Sequence, residues 1–159
     1  MARFIRTQPA PKVVGDYPAF RPHVQNDFGR TCAYCLLEEL LAGGEENFEL
    51  DHFKPKSLFP LLVKDFYNLY WSCHPCNRIK WNYWPNLALL SRGIGFVDLC
   101  QDDFGTHFLE KDDGSWEGLT PSAAYTIDIL NLNRSHLIEI RKLLKKLRSQ
   151  GQTLEKLSA

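Results

Sequence analysis

The sequence predicts an α+β protein built as one compact unit, tied together by a metal site and completed by helices. Three observations carry that expectation. Two C-x-x-C pairs, Cys32-Ala33-Tyr34-Cys35 and Cys73-His74-Pro75-Cys76, enclose most of the chemistry-bearing residues. Short apolar and polar alternations inside them read as strands. The C-terminal quarter carries apolar residues at helical spacing. With 159 residues, 44% of them hydrophobic, the chain is long enough for one core and too short to promise two.

In chain order, residues 1–30 carry Pro9, Pro11, Pro18 and Pro22, which break helical periodicity and predict an extended N-terminal arm lying over the surface. Residues 31–97 form the expected core unit. Within it Leu36-Leu37-Glu38-Glu39-Leu40-Leu41 has helical spacing and stops at Gly43-Gly44, a helix C-terminal signal. Asn47 to Phe53 alternates as a strand ending before Pro55, and Leu69-Tyr70-Trp71-Ser72 is a second strand. Pro75 then opens a helix. Residues 98–119 are dominated by acidic side chains interrupted by Gly105 and Gly114-Ser115, the pattern of a solvated loop or irregular hairpin. Thr120-Pro121 is an N-cap followed by Pro at the first helical position. It opens the helical segment 120–159, broken at Asn131-Leu132-Asn133 and resumed near Ser135 with Leu137, Ile140, Leu143, Leu144 and Leu147 on one stripe.

Charge and composition exclude several classes. Nineteen Lys and Arg balance nineteen Asp and Glu, so this is no uniformly basic nucleic-acid coat, although a local basic face is open to it. Five Cys, an odd number, and an opening MARFIRTQPAPKVV with no apolar signal region argue against a disulfide-stapled secreted domain. A soluble, cytoplasmic protein with no membrane partner is expected, since no apolar run approaches the roughly 18 residues of a membrane span.

Two residues between paired thiolates let both sulfurs reach one tetrahedral ion at about 2.3 Å. Cys32, Cys35, Cys73 and Cys76 are therefore the expected ligands of a structural zinc, because four thiolates leave no open coordination position. Buried or redox-active thiols are the bland alternative. Cys100 stands alone and reads as an ordinary free thiol.

The residues between and beside the knuckles suggest more. The run Glu49-Leu50-Asp51-His52-Phe53-Lys54-Pro55-Lys56-Ser57, then Phe66-Tyr67-Asn68-Leu69, then Cys73-His74-Pro75-Cys76-Asn77-Arg78-Ile79-Lys80 resembles an HNH endonuclease over the middle third of the chain. That resemblance implies a ββα-metal core, in which a β-hairpin and the following helix hold one catalytic divalent ion, magnesium or manganese, against a DNA phosphate. It implies His52 as general base, Asp51 and Asn77 as oxygen ligands of the ion, and Asn68 as the brace of the hairpin loop that helps orient the imidazole. Asn77 stands where many members carry a final His. An amide oxygen still suits a hard cation.

Lys54, Lys56, Arg78 and Lys80 are close in sequence to this site and are expected to contact phosphates. Trp71, Trp81, Tyr83 and Trp84 are read as packing residues before stacking ones. Taken singly, Asp51 and His52 are as readily a local hydrogen-bonded pair, and Asn68 and Asn77 turn and cap residues.

Arg21-Pro22, Phe53-Lys54-Pro55-Lys56-Ser57, Asn68-Leu69-Tyr70-Trp71-Ser72-Cys73 and Ile129-Leu130-Asn131-Leu132-Asn133-Arg134 resemble the small HNH subunits of Septu-type and retron-associated anti-phage systems. That likeness implies a partner ATPase. The chain itself carries no Gly-x-x-x-x-Gly-Lys loop and no helix-turn-helix. The rival readings are a zinc-stabilised module that binds nucleic acid or protein without hydrolysis, and a thiol-based redox regulator.

Overall fold

The structure, a computed structural model, describes residues 3–151. The ends of the expected arm and C-terminal segment, residues 1–2 and 152–159, lie outside the described residues. Six helices and four strands follow in order: α1 Arg21–Asp27, β1 Phe48–His52, β2 Leu69–Cys73, α2 His74–Lys80, α3 Leu87–Leu90, α4 Phe104–His107, β3 Phe108–Glu110, β4 Trp116–Gly118, α5 Pro121–Ile129 and α6 Ser135–Ser149. Helices and two small antiparallel sheets make the molecule α+β.

The centre of the fold is the β1–β2 pair. Its register sets Phe48 against Cys73 and His52 against Leu69, so one end of the pair meets the knuckles and the other meets the 53–68 loop. Every residue of β2 is buried, which accounts for a strand that is apolar on both faces instead of alternating. Trp71 is fully buried and stacks on Phe48 with ring centroids 5.6 Å apart. Its indole N–H donates to the Glu39 carboxylate at 2.8 Å. α2 leaves β2 without a linker because Pro75 falls in the first helical turn, where a missing N–H costs nothing.

The arm departs from its expected form. Only residues 3–16 are free of helix; Tyr17–Phe20 is a 3-10 turn and α1 follows it directly. Pro18 and Pro22 initiate these turns, each falling at the first or second helical position. Val24 and Phe28 of α1 enter the core, together with Phe4. Arg6 is sandwiched in too, with its guanidinium 4.5 Å over the Phe66 ring and 3.1 Å from Asp27. The arm is thus part of the core and not a strap over it.

Residues 36–41 differ as well. Instead of a helix they form the knuckle turn, with Leu36 at φ +60°, followed by a single 3-10 turn over Glu39–Ala42 that Gly43 ends at φ +85°. The reason is tertiary. Glu39 is buried and held by Gln25, Arg30 and Trp71, and those bonds take precedence over helical spacing.

The 98–119 segment is the hairpin alternative and not merely solvated. Phe108 and Trp116 are buried in β3 and β4, while the acidic residues Asp112 and Asp113 occupy the turn. Thr120 caps α5 through its side chain, which accepts from Ala123 N. In α6 only Leu137 and Arg141 are fully buried, so this helix packs on the domain along one stripe. Among the described residues no helix is long and apolar enough to cross a membrane.

Candidate metal centre and adjoining cleft

Cys32 and Cys35 sit on the knuckle turn after α1, Cys73 ends β2, and Cys76 lies in the first turn of α2. The turn is closed by Leu36 N–H donating to Cys32 O at 3.1 Å and Cys32 N–H donating to Leu37 O at 2.9 Å. All four sulfurs are buried and lie within 4.8 Å of one another. The Cys35 and Cys73 sulfurs are 3.8 Å apart, and the edge of a tetrahedron with 2.3 Å metal–sulfur bonds is also about 3.8 Å. These residues therefore fit a structural zinc. The thiols of Cys35 and Cys76 are pushed up, chiefly by hydrogen bonds with neighbouring cysteine sulfurs and further by burial. Four thiolates together need a cation between them, and a zinc ion deprotonates the thiols that bind it.

Two arginines that sequence reasoning did not single out complete this centre. Arg134 donates from Nη2 to the Cys76 sulfur at 3.2 Å. Burial works against its charge, and the Cys76, Cys35 and Cys73 sulfurs outweigh it. Arg141 lies 3.9 Å over the Trp116 ring, with burial drawing its pKa down to about 10 against the pull of the Cys35 sulfur. A zinc ion with four thiolates carries two net negative charges, and these cations from the start and middle of α6 offset them. The signal available beforehand was slight: Arg134 and Arg141 are seven positions apart, two helical turns, on the stripe that also holds Leu137.

On the far side of α2 lies a cleft of about 470 Å³ bounded by Tyr17, Glu49, Asp51, His52, Lys56, Asn77, Arg78 and Trp81, among others. Asp51 and His52 come from the end of β1, and Asn77 from the second turn of α2. The His52 ring is 4.8 Å from the Tyr17 ring, edge to face. Its Nε2 is 2.9 Å from Val63 O. A carbonyl only accepts, so Nε2 carries the proton and Nδ1 keeps its lone pair. Burial lowers the His52 pKa below its ordinary 6.5, against the opposing Val63 hydrogen bond, which keeps the ring neutral at neutral pH.

Asn68 does not touch the imidazole. It accepts from Lys54 N at 2.8 Å and donates to Lys54 O at 3.1 Å and Leu62 O at 3.3 Å. It thereby clamps the two arms of the 53–68 loop next to Val63, the residue that holds the His52 ring.

Lys80 requires a correction. Expected at a phosphate, it is fully buried, donates to His52 O at 2.8 Å and stands 3.0 Å from the Asp51 carboxylate. Its place was foreshadowed by spacing, since Cys76 and Lys80 are four apart and share one helix face, and Cys76 points inward. The Tyr34 hydroxyl donates to the same Asp51 oxygen. Burial pushes the Asp51 carboxyl up and the Lys80 ammonium down, and each ion opposes the other's shift.

Lys80→Met is expected to cost about 3–5 kcal/mol, because it strands a buried carboxylate. A urea melt checks this, and adding Asp51→Leu is expected to recover most of the loss.

The remaining basic residues separate. Lys56 and Arg78 are exposed on the cleft, with Lys56 Nζ 5.5 Å over the Tyr17 ring. Lys54 is exposed, rests near the Phe59 ring at 5.7 Å and is not among the residues that bound the cleft. Trp71 packs inside and the half-buried Trp84 packs against Phe53 and Phe59, whereas Trp81 and Tyr83 are exposed. Cys100 is half-buried beside Asp98, and its thiol is pushed up to about 12, an unreactive state.

Asp51 and Asn77 both bound the cleft, and the buried Asp51 carboxylate is held there by Lys80 and Tyr34. Among the described residues the four cysteines are the single group of three or more His, Cys, Asp and Glu drawn together closely enough to chelate an ion. A scan against protein-family models finds no match to this chain, and a search of the curated proteins finds none either.

Proposed function

We propose that this protein is a metal-dependent endonuclease of the HNH kind, hydrolysing phosphodiester bonds of DNA at the cleft between β1 and α2. The observation that carries the reading is a neutral His52 lining one cleft with Asp51, Asn77, Lys56 and Arg78, with Nδ1 unprotonated and Nε2 tied to Val63 O. An imidazole with a free lone pair, a ligand set for a hard ion and flanking cations are what the hydrolysis of a phosphodiester requires.

In this reading Nδ1 of His52 takes a proton from a water whose oxygen attacks phosphorus in line. The phosphorus–O3′ bond breaks and O3′ takes a proton from solvent, leaving a 5′-phosphate and a 3′-hydroxyl. Asp51 and Asn77 would hold a divalent ion, which would supply positive charge at the departing oxygen. Lys56 and Arg78 place the flanking phosphates, Asn68 keeps the Val63 loop in position, and Lys80 fixes the Asp51 carboxylate. The zinc centre has no chemical role; it ties α2 to β2, the strand that pairs with β1, and so sets β1 and α2 in place on either side of the cleft.

The likeness to the HNH subunits of anti-phage systems extends the proposal to an effector nuclease that acts with a partner ATPase in the cytoplasm. The lack of a nucleotide-binding loop and of a sequence-reading module in the chain supports this, since both would then come from the partner. One observation favours the rival, a non-catalytic zinc-stabilised binding module: Asp51 is already engaged by Lys80 and Tyr34.

End analysis of labelled linear DNA decides between them. Fragments with 5′-phosphate and 3′-hydroxyl ends that form only with added magnesium or manganese are expected. DNA retained without cleavage at any metal concentration, alone or with the partner, would establish the rival.

A further inference from the structure

Trp81 occupies a backbone conformation that its side chain does not suit. It is the C-cap of α2, at φ +41° and ψ −120°, with its N–H bonded to Asn77 O at 2.8 Å. Helices close readily on a glycine in this half of the map, and a bulky aromatic residue is a marked exception there. Packing does not account for the exception, because the Trp81 side chain is 70% exposed, in contrast to the buried Trp71 and Trp116. Trp81 is one of the residues that bound the cleft, together with His52, Asp51, Asn77, Arg78 and Lys56. A strained residue at the lip of a site points to a use there.

We infer that Trp81 is a stacking platform for an unpaired DNA base next to the scissile phosphate, which makes single-stranded DNA the preferred substrate of the cleft. This deepens the nuclease reading and rests on it for the position of the phosphate. An indole ring offers a flat apolar face to any base, and flanking cations hold the backbone on either side of it. A paired base inside a duplex has both faces covered by its neighbours and has none to offer.

The test is binding of fluorescent single-stranded thymidine oligomers, measured by anisotropy without added magnesium. It compares the zinc-loaded full chain with Trp81→Gly and Trp81→Phe, and includes an oligomer of equal length carrying abasic sites. Trp81→Gly is expected to weaken binding about ten- to a hundredfold while melting no lower than the wild type, since glycine relieves the positive φ. Trp81→Phe is expected to keep most of the affinity, and the wild type to discriminate against the abasic strand by a similar factor. Wild-type affinity in Trp81→Gly, equal binding of abasic and base-bearing strands, or no binding of single strands by the wild type would each overturn the inference. Cleavage assayed in parallel separates the two readings. Metal-dependent cleavage with no Trp81 effect on binding leaves the nuclease standing, and Trp81-dependent binding without cleavage leaves the stacking platform standing.

Discussion

Replacing His52 with alanine is expected to lower the rate of DNA cleavage by about a hundred- to ten-thousandfold, the range a positioned general base contributes. The loss follows from how the ring is held. Val63 O fixes Nε2 as the donor, the Tyr17 ring closes one side, and burial keeps the imidazole neutral, so no other group in the cleft offers an unprotonated nitrogen. Alanine leaves the half-buried Val63 O without its protein partner, a loss of at most about 1–3 kcal/mol, which is small enough for the protein to remain folded. Zinc content and far-ultraviolet circular dichroism are expected to match the wild type. Their agreement makes the rate loss a statement about chemistry.

The second large effect is removal of zinc. Structural zinc sites bind with apparent free energies of about 10–16 kcal/mol, comparable to the entire stability of a typical domain, about 5–15 kcal/mol. The centre joins the knuckle turn to β2 and α2, and through the Arg134–Cys76 bond it also meets the start of α6. A strong chelator, or Cys76→Ser, is therefore expected to unfold residues 31–80 and to loosen α6 as well. Hydrogen exchange followed residue by residue reads this directly. Apo-protein that melts within a few degrees of the zinc form and retains protected β2 amides would refute the structural role.

Much of this arrangement was legible in the sequence for reasons that can be named. The Cys pairs have a spacing that only local geometry constrains, and their assembly into one buried cluster follows from it. β1 and β2 carry β-branched-poor but aromatic and apolar runs of strand length, and Pro75 and Pro121 mark helix starts because proline lacks only an N–H that the first turn does not need. What was not legible depends on partners distant in sequence. Residues 36–41 have helical spacing, yet the bonds from Glu39 to Gln25, Arg30 and Trp71 hold them as a turn. Pro18 and Pro22 read as breakers of an arm, and in the fold they start the helix that buries Val24 and Phe28. Lys80 looks like a phosphate contact until Asp51, twenty-nine positions earlier, is seen beside it. The strain at Trp81 is a property of backbone angles and leaves no mark in composition.

The central claim is that the β1–α2 cleft hydrolyses DNA with His52 as its base. The most direct test is plasmid nicking by zinc-loaded wild type and zinc-loaded His52→Ala side by side, with and without magnesium. The account predicts nicking by the wild type only when magnesium is present and almost none by the variant at equal zinc content. Equal nicking by the two proteins, or nicking by the wild type that is indifferent to magnesium, would contradict it.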